Sequence, residues 1–167
     1  MNEKEAVTIR LSSEEDKPFL STWLTDPEVL PWFPLNNPRE IEDAVKIWVG
    51  YKEQKSAFTA CLDGVACGMA VIYVHRYKKL KHQALFAIIL DKNFRGKGIG
   101  SQLIEYLKKV GQENFGLEIL HLEVYEGNPA QKLYERLGFK EYGRQPFFLK
   151  ESSGIYRTKI NMQLELK

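Results

Sequence analysis

Residues Ala84–Leu90 form an unbroken apolar run, and a glycine-rich turn, Gly96–Gly100, follows within a few residues. A strand without a polar face has to be covered on both sides, so the run predicts a central strand of a sheet flanked by helices. Leu103, Ile104, Leu107 and Val110 then recur at helical spacing, and Asn114–Gly116 marks the stop. Strand, glycine turn and amphipathic helix in direct succession exclude an all-α and an all-β domain. The rest of the chain has to be arranged around this unit.

The remaining elements follow from local patterns. Val7–Leu11 reads as a first strand. Ser12 and Glu15 have the spacing of a capping box ahead of Phe19, Leu20, Trp23 and Leu24. Pro18 suits only a first helical turn, which makes Asp16 the other candidate cap. Asp26-Pro27 looks like a second helix start, stopped by Pro31 and Pro34. Asn37-Pro38-Arg39-Glu40 caps a helix whose apolar face is Ile41, Ala44, Val45, Trp48 and Val49. Asp63-Gly64 predicts a two-residue turn between Ser56–Leu62 and Val65–Val74. Such a turn pairs Leu62 with Val65, Cys61 with Ala66 and Ala60 with Cys67. The two cysteines then face opposite ways, so no bridge is expected between them. His75–His82 reads as a solvated basic loop. Ile119–Tyr125 is a strand, Pro129–Leu137 a short helix and Phe139–Tyr142 a strand start. Ile155–Leu166 is a final strand, with Phe147–Leu149 as its hairpin partner. The order is that of an α+β (mixed α/β) domain.

Composition limits the function classes. The 167 residues suit one domain, Met1–Lys167, and 24 basic against 22 acidic residues leave a net charge of only +2. A nucleic-acid binder working through bulk charge needs more than that. The longest apolar runs fall far short of the ~20 residues that span a bilayer. Met1–Arg10 has no apolar stretch of the kind a signal peptide carries. A cytoplasmic protein without membrane or nucleic-acid partners is expected, with a homodimer left open.

The informative segment is Leu90 to Ser101, LDKNFRGKGIGS. A glycine turn opening a helix presents free N–H groups and the positive end of the helix dipole, a cradle for an anion. It is not a P-loop, because Lys97 is followed by glycine, nor a dinucleotide fingerprint, because Ser101 stands where the third glycine belongs. Arg-x-x-Gly-x-Gly does fit, at Arg95, Gly98 and Gly100. A second block, Leu122-Glu123-Val124 through Asn128 to Leu133-Tyr134-Glu135 and Gly138-Phe139, follows the long helix. On these two motifs, in this order and on these elements, the chain resembles the GNAT superfamily of acetyl-CoA-dependent N-acetyltransferases. The likeness implies a GNAT-like acyl-CoA N-acyltransferase fold, with a central mixed sheet of about six or seven strands flanked by helices. It departs in one place: Asn128 and Tyr134 are one residue closer than is usual in the family. The contraction lies before Ala130, so the tyrosine carries over more directly than the asparagine, which could simply cap its helix.

The resemblance implies direct acetyl transfer to a primary amine, with acetyl-CoA as cosubstrate and no metal. A lysine-type amine is neutral in only about one of a few thousand molecules at pH 7, so a base helps, and the leaving thiolate gains from a proton donor. Tyr134 is the candidate acid. Glu123 is the candidate base, because Leu122-Glu123-Val124 resembles the Leu-Glu-Val of ribosomal-protein N-terminal acetyltransferases, where that glutamate is the base, and the preceding strand, His82–Ala87, offers no glutamate in its place; His121 and Tyr125 share its strand face and could substitute. The strand at Ile88, Ile89 and Leu90 is expected to supply backbone donors. Arg95, Gly96, Lys97, Gly98, Ile99, Gly100 and Ser101 would hold the pyrophosphate, together with Asn128. The acceptor, a small-molecule amine or a protein N-terminus, is expected between Trp32, Phe33, Tyr73 and Phe147. The late segment is most similar to the branch with spermidine and ribosomal-protein N-terminal acetyltransferases. Trp32-Phe33 lacks the paired acids that follow in some polyamine enzymes, which weighs against a polycation. A non-catalytic acyl-CoA-binding sensor or assembly module is the alternative reading.

Overall fold

The computed structural model describes residues 6–166. Seven strands form one sheet: β1 (Val7–Leu11), β2 (Ala57–Leu62), β3 (Val65–Tyr73), β4 (Gln83–Leu90), β5 (Ile119–Tyr125), β6 (Lys140–Lys150) and β7 (Tyr156–Glu165). Their order across the sheet is β1-β2-β3-β4-β5-β7-β6. Every neighbouring pair is antiparallel except β4 and β5, which run parallel. The helices are α1 (Lys17–Thr25), α2 (Pro38–Gly50), α3 (Ile99–Phe115) and α4 (Ala130–Arg136).

The sheet is covered on both sides, as the apolar β4 run requires. On one face Leu103, Ile104 and Leu107 of α3 and Tyr134 of α4 pack on Phe58, Ile72, Phe86, Leu120, Leu122, Ile160 and Met162. On the other, Leu20, Trp23 and Leu24 of α1 and Ile41, Val45 and Val49 of α2 pack on Ala57, Met69, Val71 and Ile89. No described helix is long and apolar enough to cross a membrane.

Local signals explain most element boundaries. Asn37 Oδ1 accepts from Glu40 N–H at 2.9 Å and starts α2, with Pro38 in its first turn. Asp63 and Gly64 both have positive φ, 49° and 81°, the conformation of a tight hairpin turn. The first cap differs from the expected Ser12–Glu15 box. Ser13 and Asp16 form it instead, with Asp16 accepting from Ser13 N–H at 2.9 Å. Ser12 is buried and shares a 2.9 Å hydrogen bond with Thr59, so its hydroxyl is not available as a cap. Asp16 also precedes α1, and Pro18 falls in that helix's first turn.

Three further expectations are corrected. Asp26-Pro27 starts no α-helix; only a 3-10 turn, Leu30–Trp32, forms, because Pro31 and Pro34 remove the N–H groups a longer helix needs. Ala60 pairs with Gly68 rather than Cys67, which is the extra residue of a β-bulge. Both thiols are free and buried, Cys61 in the core under α1 and α2 and Cys67 in the core under α3. Finally, the pieces around Tyr142 and Phe148 are one edge strand, β6, kinked by two register shifts. Phe147 has φ 58° at the second shift, beside Pro146, which has no N–H to donate.

Candidate active site

The parallel β4–β5 ladder contains only three pairs, Gln83–Ile119, Ala84–Leu120 and Leu85–His121. Beyond Leu85, β4 stays with β3 while β5 stays with β7, so the sheet opens into a V. Peptide groups along a strand point alternately to either side. Asp91 N–H bonds to Cys67 of β3, and His82 C=O accepts from Glu118 and Ile119 at the start of β5. Even-numbered residues of β4 therefore turn their peptide groups toward β5. Past the end of the ladder these are Phe86, Ile88 and Leu90, and they face the gap. Glu126 N–H bonds to Thr158 of β7, so the same alternation turns the peptide groups of Glu123 and the N–H of Tyr125 to the gap from the other lip, while Tyr125 C=O accepts from Asn128 N–H at 3.1 Å. Two rows of strand donors and acceptors thus border an open slot. Ile89 belongs to β3 by its backbone and to the α1–α2 core by its side chain.

A cavity of about 790 Å³ occupies this slot and extends to both faces of the sheet. At its β4 end lies the glycine loop. Gly96 and Gly98 have φ 78° and 76°, which favours glycine there, and α3 begins directly after Gly98. The first helical bond inside the turn is Gln102 N–H to Gly98 C=O, which leaves the N–H groups of Ile99, Gly100 and Ser101 without helical partners. All three residues line the cavity, with Arg95, Gly96 and Gly98. A side chain at Gly100 would press on Leu133 Cδ2 at 3.2 Å, so a glycine lets α3 approach α4. Asp91 fixes the loop by accepting from Asn93 N–H at 2.9 Å and from Trp23 Nε1 at 3.2 Å. The residues present fit a pyrophosphate: three helical N–H groups, an exposed Arg95 and open space above Gly96 and Gly98. Lys97 lies in the loop but does not line the cavity.

Tyr134 and Glu123 reach the apex of the V from opposite faces. Tyr134 is buried on the α3–α4 side, its ring edge-on to Phe86 at 6.4 Å, and Phe86 is the first β4 residue past the ladder. Burial pushes its phenol up to about 12, so it is protonated across the neutral range. Glu123 lies on the α1–α2 side, exposed, two residues past the β5 end of the ladder. Its Oε1 is 3.3 Å from Lys159 Nζ of β7. His121, one step earlier on that face, is held by Gln83 Oε1 at 2.5 Å from Nε2, and burial lowers its pKa. Asn128 Oδ1 accepts from Ala130 N–H at 3.0 Å. That bond satisfies the first N–H of α4 from the residue before its Pro129 cap, and Asn128 also lines the cavity.

Of the acceptor-side residues, Trp32, Phe33 and Tyr73 line the cavity. Phe147 does not; it is 73% exposed with its ring edge-on to Tyr156, and its neighbour Phe148 lines the wall instead. The positive φ at Phe147 turns the two side chains to different places. Two cations escaped the sequence reading. Lys159 Nζ lies 4.2 Å from the Phe148 ring centroid, and Arg157 Cζ 5.4 Å from that of Trp32. The signal was present, since Arg157, Lys159 and Asn161 alternate with Ile160 and Met162 along β7.

Residues 16–139 match the model of the Acetyltransferase (GNAT) family. Among curated relatives, the L-amino acid N-acetyltransferase AaaT of Escherichia coli (strain K12) is 29% identical over 85 residues, 50% of this chain and 52% of that one. The chain thus matches about half the length of AaaT. YwnH of Bacillus subtilis (strain 168), described as a candidate phosphinothricin acetyltransferase, is 27% identical over 122 residues, 71% of this chain and 74% of its own. In fold the chain is similar to yncA of Salmonella typhimurium, solved with its cofactor acetyl-CoA (TM-score 0.79, 19% identity, 97% of this chain and 95% of that chain). It is also similar to spermidine N-acetyltransferase from Vibrio cholerae, solved with CoA and spermine (TM-score 0.77, 20% identity, 96% and 95%). The ribosomal-protein-alanine N-acetyltransferase of Brucella melitensis shares the fold as well (TM-score 0.79, 20% identity, 95% and 99%). The family match spans the glycine loop, α3, β5 and α4, and the chain belongs to the GNAT acetyltransferases.

Proposed function

We propose that the protein transfers an acetyl group from acetyl-CoA directly to a primary amine, with Tyr134 as proton donor and Glu123 as proton acceptor. The observation that carries this reading is the V between β4 and β5, with an anion cradle at its mouth and a tyrosine and a glutamate at its apex. When bound, the cosubstrate supplies an acetyl thioester. The chain does the rest. Ile99, Gly100, Ser101 and Arg95 hold the pyrophosphate, and the peptides of Phe86, Ile88, Leu90 and Glu123, with the N–H of Tyr125, pair with amides laid in the slot. An N–H of Ile88 or Leu90 is placed to stabilise charge at the carbonyl oxygen. Glu123 takes a proton from the incoming ammonium, directly or through water, and Tyr134 holds its proton toward the departing sulfur.

The named relatives and neighbours support an amine acceptor: an L-amino acid, phosphinothricin, a ribosomal-protein alanine or spermidine. Free, buried thiols at Cys61 and Cys67 fit a reducing, cytoplasmic site of action. The test is release of free CoA in the presence of acetyl-CoA and a panel of amines. The wild type turns over with at least one of them, and Glu123→Gln lowers kcat by about 10²-fold or more. A Glu123→Gln protein with wild-type kcat removes the glutamate from the mechanism.

A further inference from the structure

The acceptor half of the cavity is lined by one carboxylate and an aromatic wall, and two cations of β7 lie directly against those lining residues. Glu123 Oε1 and Lys159 Nζ form a 3.3 Å pair, and the Lys159 side chain is only 13% exposed. Lys159 rests on Phe148, and Arg157 on Trp32 while Glu151 holds its Nε at 2.8 Å. Glu123, Phe148 and Trp32 all line the cavity. Arg157 and Lys159 are two residues apart on β7 and so share its face; Lys159 stands opposite Tyr125, and Asn161 opposite Glu123.

We infer that Lys159, assisted by Arg157, selects acceptors that carry a carboxylate beside the reacting amine, and that the substrate is a free α-amino acid with an apolar side chain. This rests on the transfer reading above. The argument is one of charge matching. An α-amino acid carries its ammonium and its carboxylate on one carbon, about as far apart as the two charges of the Glu123–Lys159 pair. Laid alongside that pair in the opposite sense, its ammonium meets Glu123, the group that takes the proton, and its carboxylate meets Lys159. A diamine or polyamine would instead set its second cation against Lys159 and Arg157. An amine without a second charge would leave Lys159 unused. The side chain then points past Trp32 and its Arg157 to Phe33, Leu35 and Trp48, the apolar part of the wall.

The experiment compares kcat/KM for L-leucine, L-phenylalanine, their carboxamides and 1,4-diaminobutane, by CoA release, in the wild type, Lys159→Arg and Lys159→Met. The carboxamides have the more readily deprotonated amines, so a preference for the acids runs against the supply of neutral amine. The wild type favours each acid over its carboxamide about 10- to 100-fold, the usual worth of a hydrogen bond to a charged group. Lys159→Met erases the ratio through a higher KM for the acids, and Lys159→Arg keeps most of it. A lysine that merely positions Glu123 would lower acids and carboxamides equally in Lys159→Met, and that result overturns the inference. Wild-type transfer to carboxamides or to the diamine as fast as to the acids overturns it too and leaves the transfer reading standing. No CoA release with any of these or with N-terminal peptides, from a protein whose Tm still rises with acetyl-CoA, overturns both.

Discussion

Replacing Tyr134 by phenylalanine removes one oxygen and little else. The ring is held edge-on by Phe86 at 6.4 Å and Phe139 at 6.1 Å, contacts a phenylalanine retains, so stability should change by less than about 1 kcal/mol. The catalytic cost follows from proton affinities. Burial places the phenol at about 12, whereas a thiol ionises near 8.5 in water. Complete transfer to a solvated thiolate would be uphill by about 5 kcal/mol. A thiolate forming in the same buried slot is desolvated too, which raises its own proton affinity and narrows the gap. Tyr134 should therefore act mainly as a hydrogen-bond donor to developing charge, worth about 1.5–3 kcal/mol, or roughly 10- to 100-fold in kcat. The assay is CoA release under saturating acetyl-CoA between pH 6 and 10. The loss should lie in kcat, leave the KM for acetyl-CoA near its wild-type value, and be independent of pH in this range. A kcat within threefold of wild type refutes the role. A basic limb below pH 10 that disappears in Tyr134→Phe refutes the buried, protonated state from which the estimate starts.

Other expectations concern the frame around the site. Burial pushes Tyr73, Tyr125 and Tyr134 up to about 12 each, so absorbance at alkaline pH should show these three of the 8 tyrosines ionising last. Because the folded values are raised, their contribution to stability is intact below pH ~10 and is lost as pH climbs toward 12. Burial opposes the charge on Asp16, but bonds from Arg10 at 2.7 and 2.8 Å, Ser13 N–H and Thr59 outweigh it and lower the carboxyl below its ordinary value. Its contribution is complete above pH ~3.9 and lost as pH falls through the lower folded value; Asp16→Asn should cost about 3 kcal/mol in urea unfolding at pH 7. Gly98→Ala should cost about 1–2 kcal/mol for the positive φ and weaken acetyl-CoA binding, while the same change at exposed Gly154, with φ 89°, should cost stability alone.

What could be read from residues was local. The Asp63-Gly64 turn, the Asn37 cap and the Gly96–Gly100 turn each depend on a few neighbours, and each forms where its chemistry requires. The Cys67 bulge did not announce itself, because it arises between strands: Gly68 has to let β4 pass, with Ile89 O only 3.0 Å from where a Cβ would be. Nor does alternation along Ile155–Leu166 say that β7 inserts between β5 and β6. That insertion creates the slot, since it gives β5 a partner that lets it leave β4. Tyr134 and Glu123 stand in the motifs, but that a gap opens between β4 and β5 beside them depends on where the ladder stops. Lys159 is adjacent to Glu123 only once β7 is in place, so a search confined to the motif-bearing strands passes over it.

The split sheet also sets the proposed acid and the proposed base in different surroundings on its two faces. Tyr134 belongs to the α3–α4 core and keeps its proton because water is excluded there. Glu123 belongs to the opposite face, where solvent and Lys159 surround it. In the proposed reaction both reach the reacting bond through the gap past Leu85 and His121. The cosubstrate half, from Leu90 to Ser101, is built on α3 and the sheet. The half proposed for the acceptor is built on the Leu30–Trp32 turn, α2 and the β6–β7 hairpin, elements separate from the glycine loop. Changes at Trp32, Phe148 or Lys159 can therefore alter which amine is accepted at nearly constant acetyl-CoA affinity, whereas a change at Gly98 affects every acceptor alike. Acceptor choice and cosubstrate binding are separable on this frame because different elements carry them.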